Sequence, residues 1–85
     1  MLGCYFAPMS HISQYQKYLI KSFPQPTRDD RWTINISIIW NEGGNTTWKP
    51  FTAESVYQTE AEADVHGITF GQRIIDGKVP GLSIN

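Results

Sequence analysis

Few residues in this chain have the type and spacing that chemistry requires. His11 and His66 are the only histidines and lie far apart in the sequence. Glu62 and His66 stand one helical turn apart, but two ligands do not make a metal site, and the pair reads as a solvated surface contact. Cys4 is the single cysteine, which excludes an internal disulfide and a cysteine-rich zinc site. No positive surroundings that would activate its thiol can be inferred. Asp29 and Asp30 are neighbours on a segment of turn residues, where such pairs usually solvate a loop. The glycines of NEGGN (41 to 45) and GKVPG (77 to 81) match no phosphate-binding loop, and no G-x-S-x-G elbow occurs. The sequence therefore leads us to expect no catalytic residue, no metal ligand and no cofactor.

A binding surface is easier to find. Trp32, Ile34, Ile36, Ile38 and Trp40 alternate with Arg31, Thr33, Asn35 and Ser37, and Ile39 is the exception to the pattern. If the Trp/Ile face is buried, Arg31, Thr33, Asn35 and Ser37 project from the other face. Lys49 joins them if the following strand pairs in the matching register. The acids fall in loops or on the helix (Asp29, Asp30, Glu42, Glu54, Glu60, Glu62, Asp64, Asp76). Lys17, Lys21, Arg31 and Lys49 fall in predicted strands. The helix-free face is thus expected to be polar and mildly basic.

Elements must hold that face in place. The 85 residues allow one domain, with 40 % apolar and 13 % aromatic residues, enough for a modest core. Seven basic and eight acidic side chains give a net charge of −1, so no global field favours nucleic acid or an anionic membrane. No apolar run reaches the roughly 18–20 residues that cross a bilayer. MLGC superficially resembles the end of a lipoprotein signal, but no basic and apolar segment precedes Cys4. A cytoplasmic protein is expected.

The pattern predicts an antiparallel meander of three or four strands with one C-terminal helix on one face, an α+β fold. Residues 1 to 13 read as an irregular arm, 14 to 81 as the domain and 82 to 85 as a tail. YQKYLIKSF (15 to 23) reads as a strand ended by Pro24 and Pro26. The glycines of NEGGN close a hairpin. Pro50 confines the returning strand to an edge, or to a bulge, and residues 55 to 58 read as a brief extension of the sheet, the fourth strand of the longer alternative.

The helix starts at a capping box, Thr59 with Glu62, and ends at Gly77. Glu62, His66, Thr69, Arg73 and Asp76 share its polar side. The opposite arc holds Ala61, Val65, Ile68 and Ile75, with Ala63, Phe70 and Ile74 further round. Ala63, Gly67 and Gly71 make a small-residue strip that permits close approach to the sheet or, alternatively, to another helix.

W-T-I-N-I-S-I, Y-Q-T-E-A-E-A and the closing G-Q-R-I-I-D-G-K-V-P-G are similar to segments of small, uncharacterised bacterial β-β-β-α proteins. That resemblance spans roughly residues 15 to 81. It implies a stand-alone β-β-β-α domain and carries over no functional residue, because Trp32, Thr59, Glu62, Ala63, Ile75 and Asp76 all have structural roles. The sequence points to a non-enzymatic binding or regulatory module that contacts a protein partner or a second copy and not a membrane. The alternative is a nucleic-acid-binding domain using Arg31, Thr33, Asn35, Ser37 and Lys49.

Overall fold

The computed structural model describes residues 11–84, and these form an antiparallel sheet with one helix across it. The strands are β1 (His11–Tyr15), β2 (Tyr18–Ser22), β3 (Gln25–Pro26), β4 (Trp32–Glu42) and β5 (Asn45–Tyr57). They are followed by α1 (Glu60–Ile75). Most of the expected arm, Cys4 included, lies outside the described residues, but its last three, His11, Ile12 and Ser13, are part of β1.

The segment expected as one strand from 15 to 23 is instead split by a hairpin. Tyr15 and Tyr18 are partners, leaving Gln16 and Lys17 as the loop, with Gln16 at φ 56°. Beyond the turn the strand runs further than its prolines suggested. Ser22 pairs with Ile36, Phe23 N donates to Asn35 O, and Gln25 pairs with Thr33, all in one unbroken register along β4. Pro24 follows the hydrogen-bonded Phe23–Asn35 pair, so an N–H at its position would point away from β4 and its absence costs that ladder nothing; it is fully buried and the chain stays extended through it. β3 is therefore the continuation of β2.

Gly43 and Gly44, at φ 60° and 86°, close the two-residue β4–β5 hairpin, as a loop with two left-handed positions requires. β5 pairs with β4 alone, so Pro50 lies on an edge strand. Two extra β5 residues, Glu54 and Ser55, bulge out between the Ile34–Ala53 and Thr33–Val56 pairs.

Ile20, Ile34, Ile36, Ile38, Phe51 and Ile74 form the buried core. Full burial of each is worth about 1.5–3 kcal/mol. The helix meets this layer through Ala63, Gly67, Gly71 and Ile74. A Cβ on Gly67 would lie 3.0 Å from Ser22 Oγ, and one on Gly71 only 2.8 Å from Ile20 Cγ2. The strip thus packs on the sheet. Contact through it turns Val65, two residues or about 200° away from both Ala63 and Gly67, out to solvent. Val65 and Ala61 are exposed, contrary to the wider apolar arc expected.

Thr59 Oγ1 accepts from Glu62 N (3.1 Å), while the Glu62 carboxylate accepts from Gln58 N rather than Thr59 N. At the other end Gly77 N donates to Ile74 O and Lys78 N to Arg73 O, the paired bonds of a Schellman ending with Gly77 at φ 74°. The tail expected from 82 to 85 packs against the core through Leu82 and Ile84, and Val79 joins it. With Cα extents of 44 × 30 × 17 Å the molecule is one sheet and one helix thick. Among the described residues, no element packs on the second face of the sheet.

Candidate functional site

The uncovered face can be read from register. Partners in an antiparallel ladder point to the same side. Thr33, Asn35, Ser37, Ile39 and Asn41 of β4 therefore share a face with Lys21 and Leu19 of β2, Ile12 and Gln14 of β1, and Trp48 and Thr52 of β5. Of the five residues expected to form a contact surface, Thr33, Asn35 and Ser37 lie together here.

Lys49 does not join them. It pairs with Ile38 and points to the helix side, where its Nζ donates to Ser83 O (3.0 Å) and lies 5.7 Å from the Phe51 ring centre. The two-residue loop sets this, because pairing Glu42 with Asn45 places 49 opposite 38, an inward position. Arg31 precedes β4 in the turn and pairs with Asp29 at 3.6 Å. Lys21, opposite Ser37, is the cation that the ladder places on the face.

The polar band is bordered by an apolar row that the expected site left out. Ile39 has Leu19 as its partner on one side and Trp48 on the other. Leu19 is 40 % exposed and Trp48 63 %; Ile12 (56 %) and Val56 (41 %) stand on the same face. Ile39 was the one break in the alternation of β4, and that break was the sequence signal for this row. Beside the row, from β1 across to the start of β5, an open depression of about 310 Å³ is lined by Gln14, Lys17, Leu19, Ile39, Trp40, Asn41 and Thr46.

A second polar group lies on the helix side. Asp64, one of the acids expected on the helix, is buried, and its Oδ2 accepts from His11 Nδ1 at 2.9 Å. Ser22 is the cross-strand partner of His11. The trio has the residue types of a hydrolase triad, but Ser22 is fully buried, and neither its Oγ nor Asp64 Oδ1 has a hydrogen-bond partner among the described residues. A nucleophile sealed from substrate cannot act. Here the pair anchors α1 to the start of β1.

The far end of that contact is held by Asp76, which accepts from Tyr15 Oη (2.7 Å) and Gln16 Nε2 (3.3 Å). Donation to this carboxylate raises the Tyr15 pKa above its ordinary 10.0. Asp29 is lowered, chiefly because the Thr27 hydroxyl donates to it. His66 stacks on Tyr57, ring centres 4.5 Å apart. Among the described residues no three metal-ligating side chains gather, and no helix is long and apolar enough to cross a membrane.

The chain matches no protein-family model, no curated protein and no solved structure.

Proposed function

We propose that this chain is a non-enzymatic binding or regulatory module of the cytoplasm, acting through protein–protein contacts made by the helix-free face of its sheet. The observation that carries the reading is the Leu19–Ile39–Trp48 row, apolar side chains aligned across three strands on the face that no helix covers. Contiguous exposed apolar patches mark interaction surfaces, and tryptophan is prominent among residues that dominate contact energies.

Edge pairing is the weaker route. Pro50 interrupts the row of donors midway along β5, as edge strands that avoid pairing commonly do. The nucleic-acid reading loses Lys49 to the other face and Arg31 to its pair with Asp29.

The test is an amide NMR map of ¹⁵N-labelled protein mixed with fractionated extract of its own cells. Intensity is expected to fall first at Leu19, Lys21, Ile39 and Trp48. Loss centred on the outer side of α1, at Val65 and Thr69, would sink the reading.

A further inference from the structure

We infer that the open face takes a peptide segment of acidic and apolar character, with its apolar side chain on the Leu19–Ile39–Trp48 row and its carboxylate at Lys17 or Lys21. This inference rests on the protein-contact reading and names the chemistry of the partner.

Charge complementarity carries it. The residues that the ladder assigns to this face are neutral apart from Lys21, and no carboxylate stands among them from Ile12 of β1 to Trp48 of β5. Lys17 lines the depression that Leu19 and Ile39 floor, so a cation and an apolar surface meet in one place. Lys21 lies two residues from Leu19 on the same strand, and its row neighbour on β1 is the exposed Ile12. Lys17 and Lys21 therefore stand on either side of Leu19 along the chain, at the β2 end of the row, while Lys49, beside Trp48, points to the other face. A segment with a large apolar residue next to an acid satisfies both halves of this arrangement, whereas a basic segment would meet both Lys17 and Lys21, against the single Glu42 carboxylate that Trp40 Nε1 holds beside the depression.

The depression is near the low end of the volumes that hold a ligand, which fits a single side chain rather than a whole small molecule. Gln14, Asn41 and Thr46 on its rim offer neutral hydrogen-bonding groups for the backbone of such a segment. Nucleic acid is also anionic, but Trp48 is the one exposed aromatic ring on the row, and a row that also contains Leu19 and Ile39 offers bases little to stack on.

The experiment titrates ¹⁵N-labelled protein, at low salt, with three probes. These are a pool of octapeptides built from leucine, phenylalanine, aspartate and glutamate, a matched pool with lysine and arginine in place of the acids, and a thymidine dodecamer. The acidic pool is expected to shift Leu19, Ile39 and the Trp48 indole, and to bind at least tenfold more tightly than the basic pool. The double variant Lys17→Gln/Lys21→Gln, both positions exposed, should keep the spectrum of a folded chain and weaken acidic-pool binding about three- to tenfold, the worth of two solvent-facing ion pairs.

Equal response to both peptide pools, or tighter binding of the dodecamer, overturns the inference. Shifts of the same residues that grow only with the protein's own concentration overturn it too, while sparing the protein-contact reading, because the occupant is then a second copy. No shift on this face from any probe or from concentration overturns both.

Discussion

Leu19 and Trp48 share one cross-strand partner, Ile39, so the three side chains cross the helix-free face in a single row. On the other face the same strands bury Ile20, Ile36 and Ile38 completely. One sheet thus has a core side and an uncovered apolar row, and the two should respond differently to substitution.

The core side is most sensitive at Gly71. A methyl there would come within 2.8 Å of Ile20 Cγ2 and 3.2 Å of Ile36 Cδ1, on side chains that have no free space. Gly71→Ala gains about 1 kcal/mol of helix propensity but incurs about 1–3 kcal/mol of overpacking, so a net loss is expected. Gly67→Ala, whose closest contact is 3.0 Å, should cost less. Urea unfolding of both variants orders them, and equal midpoints would contradict the close approach at Gly71.

The β1–β2 loop stores strain that can be released. Gln16 holds φ 56° although its side chain favours other regions, at a cost of about 1–2 kcal/mol for a residue with a Cβ. Gln16→Gly is expected to raise stability by up to about 1 kcal/mol after the greater freedom of glycine in the unfolded chain and the loss of the exposed 3.3 Å bond from Gln16 to Asp76 are subtracted. An unchanged or lower thermal midpoint would count against this conformation.

His11 keeps a buried carboxylate partnered. His11→Ala leaves both oxygens of Asp64 without a hydrogen bond among the described residues, which should cost about 1–3 kcal/mol. In an Asp64→Ala background the same change should cost less than about 0.5 kcal/mol. A double-mutant cycle with no coupling would remove the anchor.

Alkaline pH should loosen the opposite end. Because the folded-state pKa of Tyr15 is raised by its bond to Asp76, its contribution is fully present below the ordinary value of 10.0 and lost as pH rises through the raised one. Stability measured from about pH 9 to about pH 12 should fall less steeply for Tyr15→Phe than for the natural chain. Parallel profiles would show that the bond does not persist in solution.

Much of this fold was readable from residues with strong local preferences. Gly43 and Gly44 specify a tight hairpin, Thr59 and Gly77 delimit α1, and Ala63, Gly67 and Gly71 identify the packed strip. The first hairpin was not readable, because Gln16 and Lys17 carry no turn signal and are flanked by strand-forming Tyr15 and Tyr18. Pro24 and Pro26 stopped the predicted strand, although an extended chain tolerates proline wherever the lost N–H is not required.

The burial of Asp64 was not readable, because nothing local indicates that His11, 53 residues away in sequence, will meet it. The side taken by Lys49 was available in principle. A two-residue loop at 43 and 44 fixes the pairing of 38 with 49 and of 39 with 48, which puts the lysine inside and makes Ile39 and Trp48 neighbours outside.

The central claim is that the Leu19–Ile39–Trp48 row is the surface by which this protein meets another chain. The most direct measurement is photo-cross-linking in the living cell from a photoreactive side chain placed at position 48, with the same group at position 69 on the outer side of α1 as the reference. Covalent adducts, to a partner or to a second copy, should form from position 48 and be scarce from position 69. Equal yields, or adducts from position 69 alone, would contradict the assignment of the open face.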